Sequence, residues 1–279
     1  MTVLVTGGAG YIGSHTVLAL RAAGRPLGVL DDQSTGSALL VPRDVPLVKG
    51  SIGDRPLVAE TLKSFDIRSV IHFAASVAVG ESVERPLDYY TNNVTNSLRL
   101  IRACIGSGVR HFVFSSSAAV YGQPAQVPVP EETPPAPVNP YGATKLVVEW
   151  ILRDAAAAHP IRYTALRYFN VAGADPQGRA GQATPAATHL VKVACEAALG
   201  RRPEVAIFGT DYPTRDGTGV RDYIHVSDLA DIHLLALRRL EEGGDSVVLN
   251  CGYGRGYTVR EVLSAVQRRS GRPLRLREA

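Results

Sequence analysis

Cysteine is scarce in this sequence, and its spacing excludes two common ways of stabilising a domain. The three cysteines, Cys104, Cys195 and Cys251, form no Cys-x-x-Cys pair and are odd in number. This argues against a disulfide framework and against a zinc site, and no metal site is predicted. All three lie in apolar stretches, so we expect small buried side chains in a reducing compartment.

Long apolar runs and a strong charge of one sign are missing too. No run approaches the roughly 18 apolar residues that a membrane-spanning helix needs, and the N-terminus lacks the basic segment of a signal peptide. The 30 basic and 26 acidic residues leave a net charge of +4, and the arginines are scattered without interleaved aromatic residues. We therefore predict a soluble, cytoplasmic protein that binds neither membrane nor nucleic acid.

The 279 residues do contain enough apolar material for a core, because 45% are hydrophobic and 20% are charged. Up to residue 167, short β-branched runs alternate with longer helical patterns, which is typical of parallel βαβ units covered by helices on both faces. Predicted strands are 2–6, 26–30, 45–49, 69–73, 110–115 and 162–167; predicted helices are 11–23, 55–65, 87–107 and 141–159, with a proline-rich loop at 122–140.

After residue 167 this rhythm changes, and turn-rich stretches separate shorter elements. We predict helices at 186–199, 227–241 and 259–270, and strands at 205–208, 222–225 and 247–250. The sequence therefore predicts an α/β protein with a Rossmann-type, doubly wound parallel sheet and a smaller C-terminal substrate-binding region. The expected division is 1–168 for the dinucleotide-binding domain, with a return segment at 222–252, and 169–221 plus 253–279 for the smaller region.

A glycine-rich segment joins the first strand to the first helix. Gly7, Gly10 and Gly13 fit Gly-x-x-Gly-x-x-Gly, and Gly8 also begins a Gly-x-Gly-x-x-Gly pattern. Such glycines permit a tight turn and let a pyrophosphate approach the backbone at the helix N-terminus. A plain strand-to-helix turn would show the same pattern, but here an acidic residue also ends the next strand.

That acidic residue is Asp31, which lies 18 residues after Gly13 and is followed by Asp32. A carboxylate in this place accepts hydrogen bonds from a ribose diol and repels a 2′-phosphate. The next arginine is Arg43, which is too far along the chain to offset that repulsion. The sequence therefore predicts NAD rather than NADP.

Tyr141 and Lys145 lie four residues apart, on one face of a predicted helix. This is the only Tyr-x-x-x-Lys match among 11 tyrosines and four lysines. To act as a base near neutral pH, a tyrosine must lose about three pKa units, or ~4 kcal/mol, which a nearby ammonium and a cationic nicotinamide can supply. Ser115, Ser116 and Ser117 end the fifth predicted strand and offer a hydroxyl, unless they only cap it.

In these motifs the chain resembles the UDP-glucose 4-epimerases, which form part of the extended short-chain dehydrogenase/reductase superfamily. The matching stretches are distributed almost from end to end of the chain, and the last is the most specific to the epimerases. They are residues 5–16, 70–75, 79–82, 89–94, 114–122, 139–145, 166–174 and 211–226. The resemblance implies a Rossmann-type fold, a bound NAD, a UDP-sugar substrate, a homodimer and a substrate-binding region that is short at the C-terminus.

The resemblance also implies roles for individual residues. It assigns catalysis to Ser117, Tyr141 and Lys145. The cofactor-binding residues that it implies are Gly7, Gly10, Tyr11, Ile12, Gly13, Asp31, Asp32, Ser34, Ile52, Phe73, Ala74, Ala75, Asn93, Tyr141, Lys145, Tyr168 and Phe169. The substrate-binding residues are Ser117, Tyr141, Asn170, His189, Leu190, Phe208 and Arg221.

The implied reaction inverts C4 of a UDP-hexose, interconverting UDP-glucose and UDP-galactose through a transient 4-keto sugar. Three alternatives remain open from the sequence. One is an epimerase of another UDP-sugar, such as a pentose or an N-acetylhexosamine. A second is a nucleotide-sugar 4,6-dehydratase, which is disfavoured because Ala118 and Ala119 stand where such enzymes need acidic residues. The third is a catalytically silent NAD-binding protein.

Overall fold

The computed structural model describes residues 1–184 and 188–279. Its strands are β1 Thr2–Thr6, β2 Leu27–Asp31, β3 Leu47–Lys49, β4 Ile67–His72, β5 His111–Ser117, β6 Arg162–Tyr168, β7 Asn170–Ala172, β8 Val205–Ile207, β9 Val220–His225, β10 Val247–Cys251, β11 Gly256–Thr258 and β12 Leu276–Glu278. Seven of these strands form one parallel sheet in the order β10-β6-β5-β4-β1-β2-β3.

Helices cover both faces of this sheet, because its strands are apolar on both sides. Val3, Leu4 and Val5 of β1, for example, are fully buried, and Leu4 faces one core while Val3 and Val5 face the other. The helices are α1 Tyr11–Ala22, α2 Arg55–Ser64, α3 Val79–Glu84, α4 Pro86–Tyr89, α5 Asn96–Gly106, α6 Pro140–Ala158, α7 Leu190–Ala198, α8 Val226–Glu241 and α9 Val259–Ser270.

The sheet order places a topological switch between β1 and β4. The chain moves outward from β1 to β3 on one side and from β4 to β10 on the other, so a crevice opens beyond the carboxyl ends of β1 and β4. Ligands of open α/β sheets bind in such crevices. The predicted Rossmann-type fold is confirmed, and each of the first six predicted strands agrees with the observed strand within two residues at either end.

Two helical predictions need correction. The predicted helix at 87–107 is interrupted by a π-helical segment, Tyr90–Thr95, between α4 and α5, and α3 before it was not predicted. Pro86 explains the break before α4, since proline begins helices but is poorly tolerated inside them. Part of the predicted helix at 186–199 lies outside the described residues; the described helix there is Leu190–Ala198.

Outside the large sheet, the described strands form two minor sheets. The predicted strand at 222–225 begins earlier, at Val220, and pairs with β7 and β11 in a three-stranded sheet rather than with the large sheet. Within the return segment, β10 is the strand that joins the large sheet, beside β6. β12, which was not predicted, pairs with β8.

The structure can be compared with the predictions that the cysteines are buried and that no helix spans a membrane. All three cysteines are free, and Cys104 and Cys251 are buried as expected. The prediction is wrong for Cys195, which is exposed on α7. Every helix described in residues 1–184 and 188–279 is too short or too polar to span a membrane.

Candidate active site

The glycine-rich loop turns between β1 and α1 with no room for side chains on its inner surface. Gly7 has φ +72°, and a Cβ atom there would lie 2.6 Å from the backbone nitrogen of Ala74. A Cβ atom on Gly13 would lie 2.2 Å from the carbonyl oxygen of Gly7. Gly10 is the N-cap of α1 and makes no side-chain cap, so the first N–H groups of α1 are available to an anion. This cradle fits a dinucleotide pyrophosphate.

Asp31 connects the glycine loop to the end of β2. Its carboxylate accepts a hydrogen bond from the backbone nitrogen of Ala9 at 2.9 Å and another from that of Gln33 at 2.7 Å. Burial raises the pKa of Asp31, while these two hydrogen bonds oppose the rise. The neighbouring Asp32 caps the following turn by accepting from the Ser34 backbone and hydroxyl. The predicted acidic residues therefore lie next to the glycine cradle.

A cavity of about 330 Å³ lies between the glycine loop and the segment after β2. Thr35, Gly36 and Ser37 line it, together with Ala9 and Tyr11. The first three were not predicted from the sequence. Gly36 could have signalled the close approach, because a Cβ atom on it would lie 2.8 Å from the backbone of Ala9.

The segment after β4 closes the other side of the crevice. Asn93, in the π-helical segment, accepts from the backbone nitrogen of Ser76 at 2.8 Å and donates to its carbonyl at 2.9 Å. It also donates to the Thr144 hydroxyl of α6 at 3.2 Å, so its amide links this segment to the helix of Tyr141 and Lys145. Phe73, Ala74 and Ala75 are half-buried there, whereas Ile52 lies in the core beneath α2 and α5.

A close backbone approach positions Tyr141 near the end of β5. Asn139 caps α6 by accepting from the backbone nitrogen of Gly142 at 2.8 Å, and Pro140 occupies the first turn. A Cβ atom on Gly142 would lie 2.5 Å from the carbonyl oxygen of Ala119. Glycine at this position therefore lets the first turn of α6 approach the turn that follows Ser117.

Lys145 and Tyr141 form a buried pair on α6. The Lys145 Nζ atom donates to the Ser115 carbonyl at 2.8 Å and lies 5.8 Å from the centre of the Tyr141 ring. Burial lowers the pKa of Lys145 to about 8 and is opposed by Glu149. Burial raises the pKa of Tyr141, and the Ser117 hydroxyl opposes that rise. Burial at this site therefore opposes the lowering of the Tyr141 pKa that the sequence predicts.

The remaining residues predicted near the nicotinamide lie at the ends of β5 and β6. Tyr168 shares a hydrogen bond of 2.5 Å with the Ser115 hydroxyl, and Ser117 accepts from the Ala119 backbone at 3.1 Å. Phe169 follows Tyr168 and lies near Gly252, where an added Cβ atom would be 3.2 Å from its ring. These side chains therefore meet at the carboxyl edge of the sheet.

The predicted substrate residues fall into two sets. Asn170 and Arg221 lie on neighbouring strands, β7 and β9, and both are exposed. The Arg221 guanidinium donates to the Val220 carbonyl at 2.7 Å. His189 and Leu190 begin α7, which packs against β8 just before Phe208, a side chain that is 77% exposed. Both sets belong to the smaller region.

A family model described as the NAD dependent epimerase/dehydratase family matches residues 3–252. The chain belongs to this family. It is 60% identical, over 269 residues, to a UDP-glucose 4-epimerase of Azospirillum brasilense, an alignment that covers 96% of this chain and 77% of the relative.

Solved structures of family members have the same fold. The UDP-glucose 4-epimerase from Brucella ovis in complex with NAD has a TM-score of 0.97 and 45% identity, covering 99% of this chain and 85% of that one. The enzyme from Bifidobacterium longum in complex with NAD+ and UDP has a TM-score of 0.94 and 39% identity, covering 100% and 86%.

Together these comparisons confirm four predictions from the sequence. The resemblance to the UDP-glucose 4-epimerases holds along the chain, the fold is of the Rossmann type, and the protein is an epimerase. NAD is the cofactor, in keeping with a NAD dependent family. The roles of single site residues, in contrast, are implied by the resemblance and stay predictions.

Proposed function

We propose that the protein inverts C4 of a UDP-hexose, interconverting UDP-glucose and UDP-galactose, with NAD retained throughout. The observation that carries this proposal is the position of Tyr141 and Lys145. Both are buried side by side at the carboxyl edge of the sheet, near Ser117 and across the crevice from the glycine cradle. Relatives with the same fold are UDP-glucose 4-epimerases, one of them solved with NAD+ and UDP.

The chain's own residues supply binding and proton transfer. The glycine loop and the N-terminus of α1 hold the pyrophosphate, and Asp31 binds the adenosine ribose. NAD held there would supply the hydride chemistry, namely removal of hydride from sugar C4 and its return to the opposite face of the 4-keto sugar. Tyr141 removes the 4-hydroxyl proton, Ser117 orients that hydroxyl, and the Lys145 ammonium stabilises the phenolate. Arg221 is a donor suited to the diphosphate of the substrate.

The purified protein is expected to contain NAD and to turn over UDP-sugars. Denaturation should release about one NAD per chain, measured by mass spectrometry, and UDP-glucose should be converted to UDP-galactose in a panel of UDP-sugars. Conversion of only a UDP-pentose or a UDP-N-acetylhexosamine would replace the hexose assignment by the other epimerase. Loss of water from the product would indicate a dehydratase, and NAD without turnover of any UDP-sugar would indicate a silent binder.

We also propose that two copies of the chain associate through α5 and α6. These neighbouring helices leave apolar side chains exposed, including Leu98 at 39% and Trp150 at 48%, with Leu87 at 78% just before them. A second copy would cover this surface, because a two-fold axis brings the same patch of each chain together.

The free cysteines suit a reducing compartment, and on that basis we also propose that the enzyme is cytoplasmic.

Trp150 allows the association to be measured directly, because it is the only tryptophan of the chain. Sedimentation should give twice the chain mass, and dilution should shift the tryptophan emission to the red as Trp150 becomes exposed to water. Leu98→Glu should shift the equilibrium towards the monomer by introducing a charge into the interface. Leu235→Glu is the matched control on α8, where the side chain is 62% exposed. A monomeric wild-type chain at micromolar concentration would contradict the proposal.

A further inference from the structure

A buried ion pair lies behind the Tyr141 and Lys145 side chains. Glu149 and Arg167 are 4% and 5% exposed. The Arg167 Nε and Nη2 atoms donate to the two carboxylate oxygens of Glu149 at 3.0 and 2.6 Å. The Ser116 hydroxyl donates to the same carboxylate at 2.5 Å. Glu149 is therefore held in one orientation by three donors.

The hydrogen bonds continue from Arg167 to the far edge of the sheet. Its third donor, Nη1, contacts the Tyr121 hydroxyl at 2.9 Å, and that hydroxyl donates to Asn250 of β10 at 2.8 Å. Removing such a pair of charges from water costs several kcal/mol per ion, and apolar residues of similar size often stabilise a core more. The stability of the fold is therefore a weak explanation for the burial of this ion pair.

In the sequence, each member of the ion pair lies within four residues of a predicted active-site residue. Glu149 follows Lys145 by one helical turn, and Arg167 precedes Tyr168. The Lys145 ammonium and the Glu149 carboxylate bind consecutive residues of β5, through the Ser115 carbonyl and the Ser116 hydroxyl. The carboxylate is thus fixed one residue further along β5 than the ammonium, which is itself only 3% exposed.

Burial opposes the charge on Lys145, so the groups around it decide its protonation state. His72 of β4 faces it across the Phe114 ring and stays neutral, because burial lowers the pKa of His72 to about 3. Burial also raises the pKa of Tyr89 on α4 and of Tyr168 on β6, which keeps both side chains protonated. The carboxylate of Glu81 on α3 binds the Tyr89 hydroxyl and Arg85. The titratable groups on elements packed directly against α6 include Glu81, Tyr89, Tyr121, Arg167 and Tyr168.

We propose that Glu149 is a positioning residue that keeps the buried Lys145 ammonium charged beside Tyr141, with Arg167 and Ser116 fixing its carboxylate. Glu149 acts through Lys145 and does not touch the reacting atoms. The inference rests on the proposed function for its consequence in catalysis, but the charge on Lys145 is a property of the chain alone. A charged Lys145 stabilises the Tyr141 phenolate. Deprotonation of Lys145 at high pH should therefore end the activity.

Glu149→Gln should make Lys145 lose its proton at a lower pH. The chain has four lysines, so titration of 13C-labelled lysine by NMR resolves each one, and Lys145→Met assigns the signal of interest. We expect the Lys145 midpoint to fall by about one pH unit or more in Glu149→Gln, as for loss of an adjacent opposite charge. The alkaline limb of kcat should move down by the same amount, while KM and bound NAD stay unchanged.

Two further variants make the result decisive. Glu149→Gln alone leaves the buried Arg167 guanidinium without its partner, so this variant can fail to fold. The double variant Glu149→Gln/Arg167→Met removes both charges of the pair. In the double variant the titration midpoint of Lys145 should also fall. Asp154→Asn removes an exposed carboxylate of the same helix and should leave the midpoint unchanged. An unshifted midpoint in the double variant, or an equal shift in Asp154→Asn, would overturn the inference. If the wild-type chain converts no UDP-sugar, the proposed function fails, while the NMR titration still decides the role of Glu149.

Discussion

Tyr141→Phe should lower kcat for UDP-sugar turnover by roughly 10²–10⁴-fold, the contribution typical of a positioned general base. The ring stays and only the hydroxyl is lost, so the packing of the first turn of α6 against the turn after Ser117 is retained. We therefore expect bound NAD and the thermal unfolding midpoint to stay near those of the wild type. Kinetic measurement, NAD quantification and a melting curve on one preparation test all three expectations.

The matched control is Tyr90→Phe, which removes a phenol hydroxyl that is partly exposed in the π-helical segment. This variant should turn over substrate as the wild type does. If Tyr141→Phe retains normal kcat with its NAD bound, the base is a different group. A loss of NAD together with activity would instead mean that the Tyr141 hydroxyl holds the cofactor rather than the proton.

Gly13→Ala should abolish NAD binding, because the added methyl group has nowhere to go. Its Cβ atom would lie 2.2 Å from the carbonyl oxygen of Gly7 and 2.8 Å from the Cα atom of Gly8, and both are backbone atoms. The loop must open for α1 to form, and the pyrophosphate cradle is lost with it. We expect less than about a tenth of the wild-type NAD after purification, measured by the absorbance of the released nucleotide, and activity reduced in proportion.

Gly106→Ala provides the control for the glycine substitution. It lies in the last turn of α5, and an added Cβ atom meets nothing within 4 Å. Alanine in a helix is favoured over glycine by about 0.5–1 kcal/mol, so this variant should keep its NAD and should not melt earlier. A folded Gly13→Ala chain that carries one NAD per chain would contradict the proposed phosphate site.

Much of the fold could be predicted from the sequence because the deciding signals are local. The apolar runs of β1 and β5 and the glycines at the start of α1 each determine their structure within a few residues. The large sheet was therefore placed within two residues for its first six strands. The same holds for the Tyr141 and Lys145 pair, since a spacing of four residues puts both side chains on one face of a helix.

What the sequence did not predict depends on contacts between distant segments. The pairing of β9 with β7 and β11 joins stretches whose short runs carry no periodic pattern of their own. The π-helical segment arises where Asn93 reaches both Ser76 and Thr144, and no spacing within residues 87–107 reports this. The pairing of Glu149 with Arg167 is likewise invisible until α6 packs on β6, because in the sequence each is an ordinary charged residue.

The contact between Gly142 and Ala119 has a consequence for substrate choice. Because backbone atoms set the distance from α6 to the turn after β5, the location of the phenol is independent of which side chains surround the sugar. Substitutions in the predicted substrate-binding region should therefore alter the shape offered to a hexose, a pentose or an acylated sugar without displacing Tyr141, the proposed base. A single catalytic geometry can in this way serve enzymes of differing selectivity, and redesign for a new sugar can leave the first turn of α6 untouched.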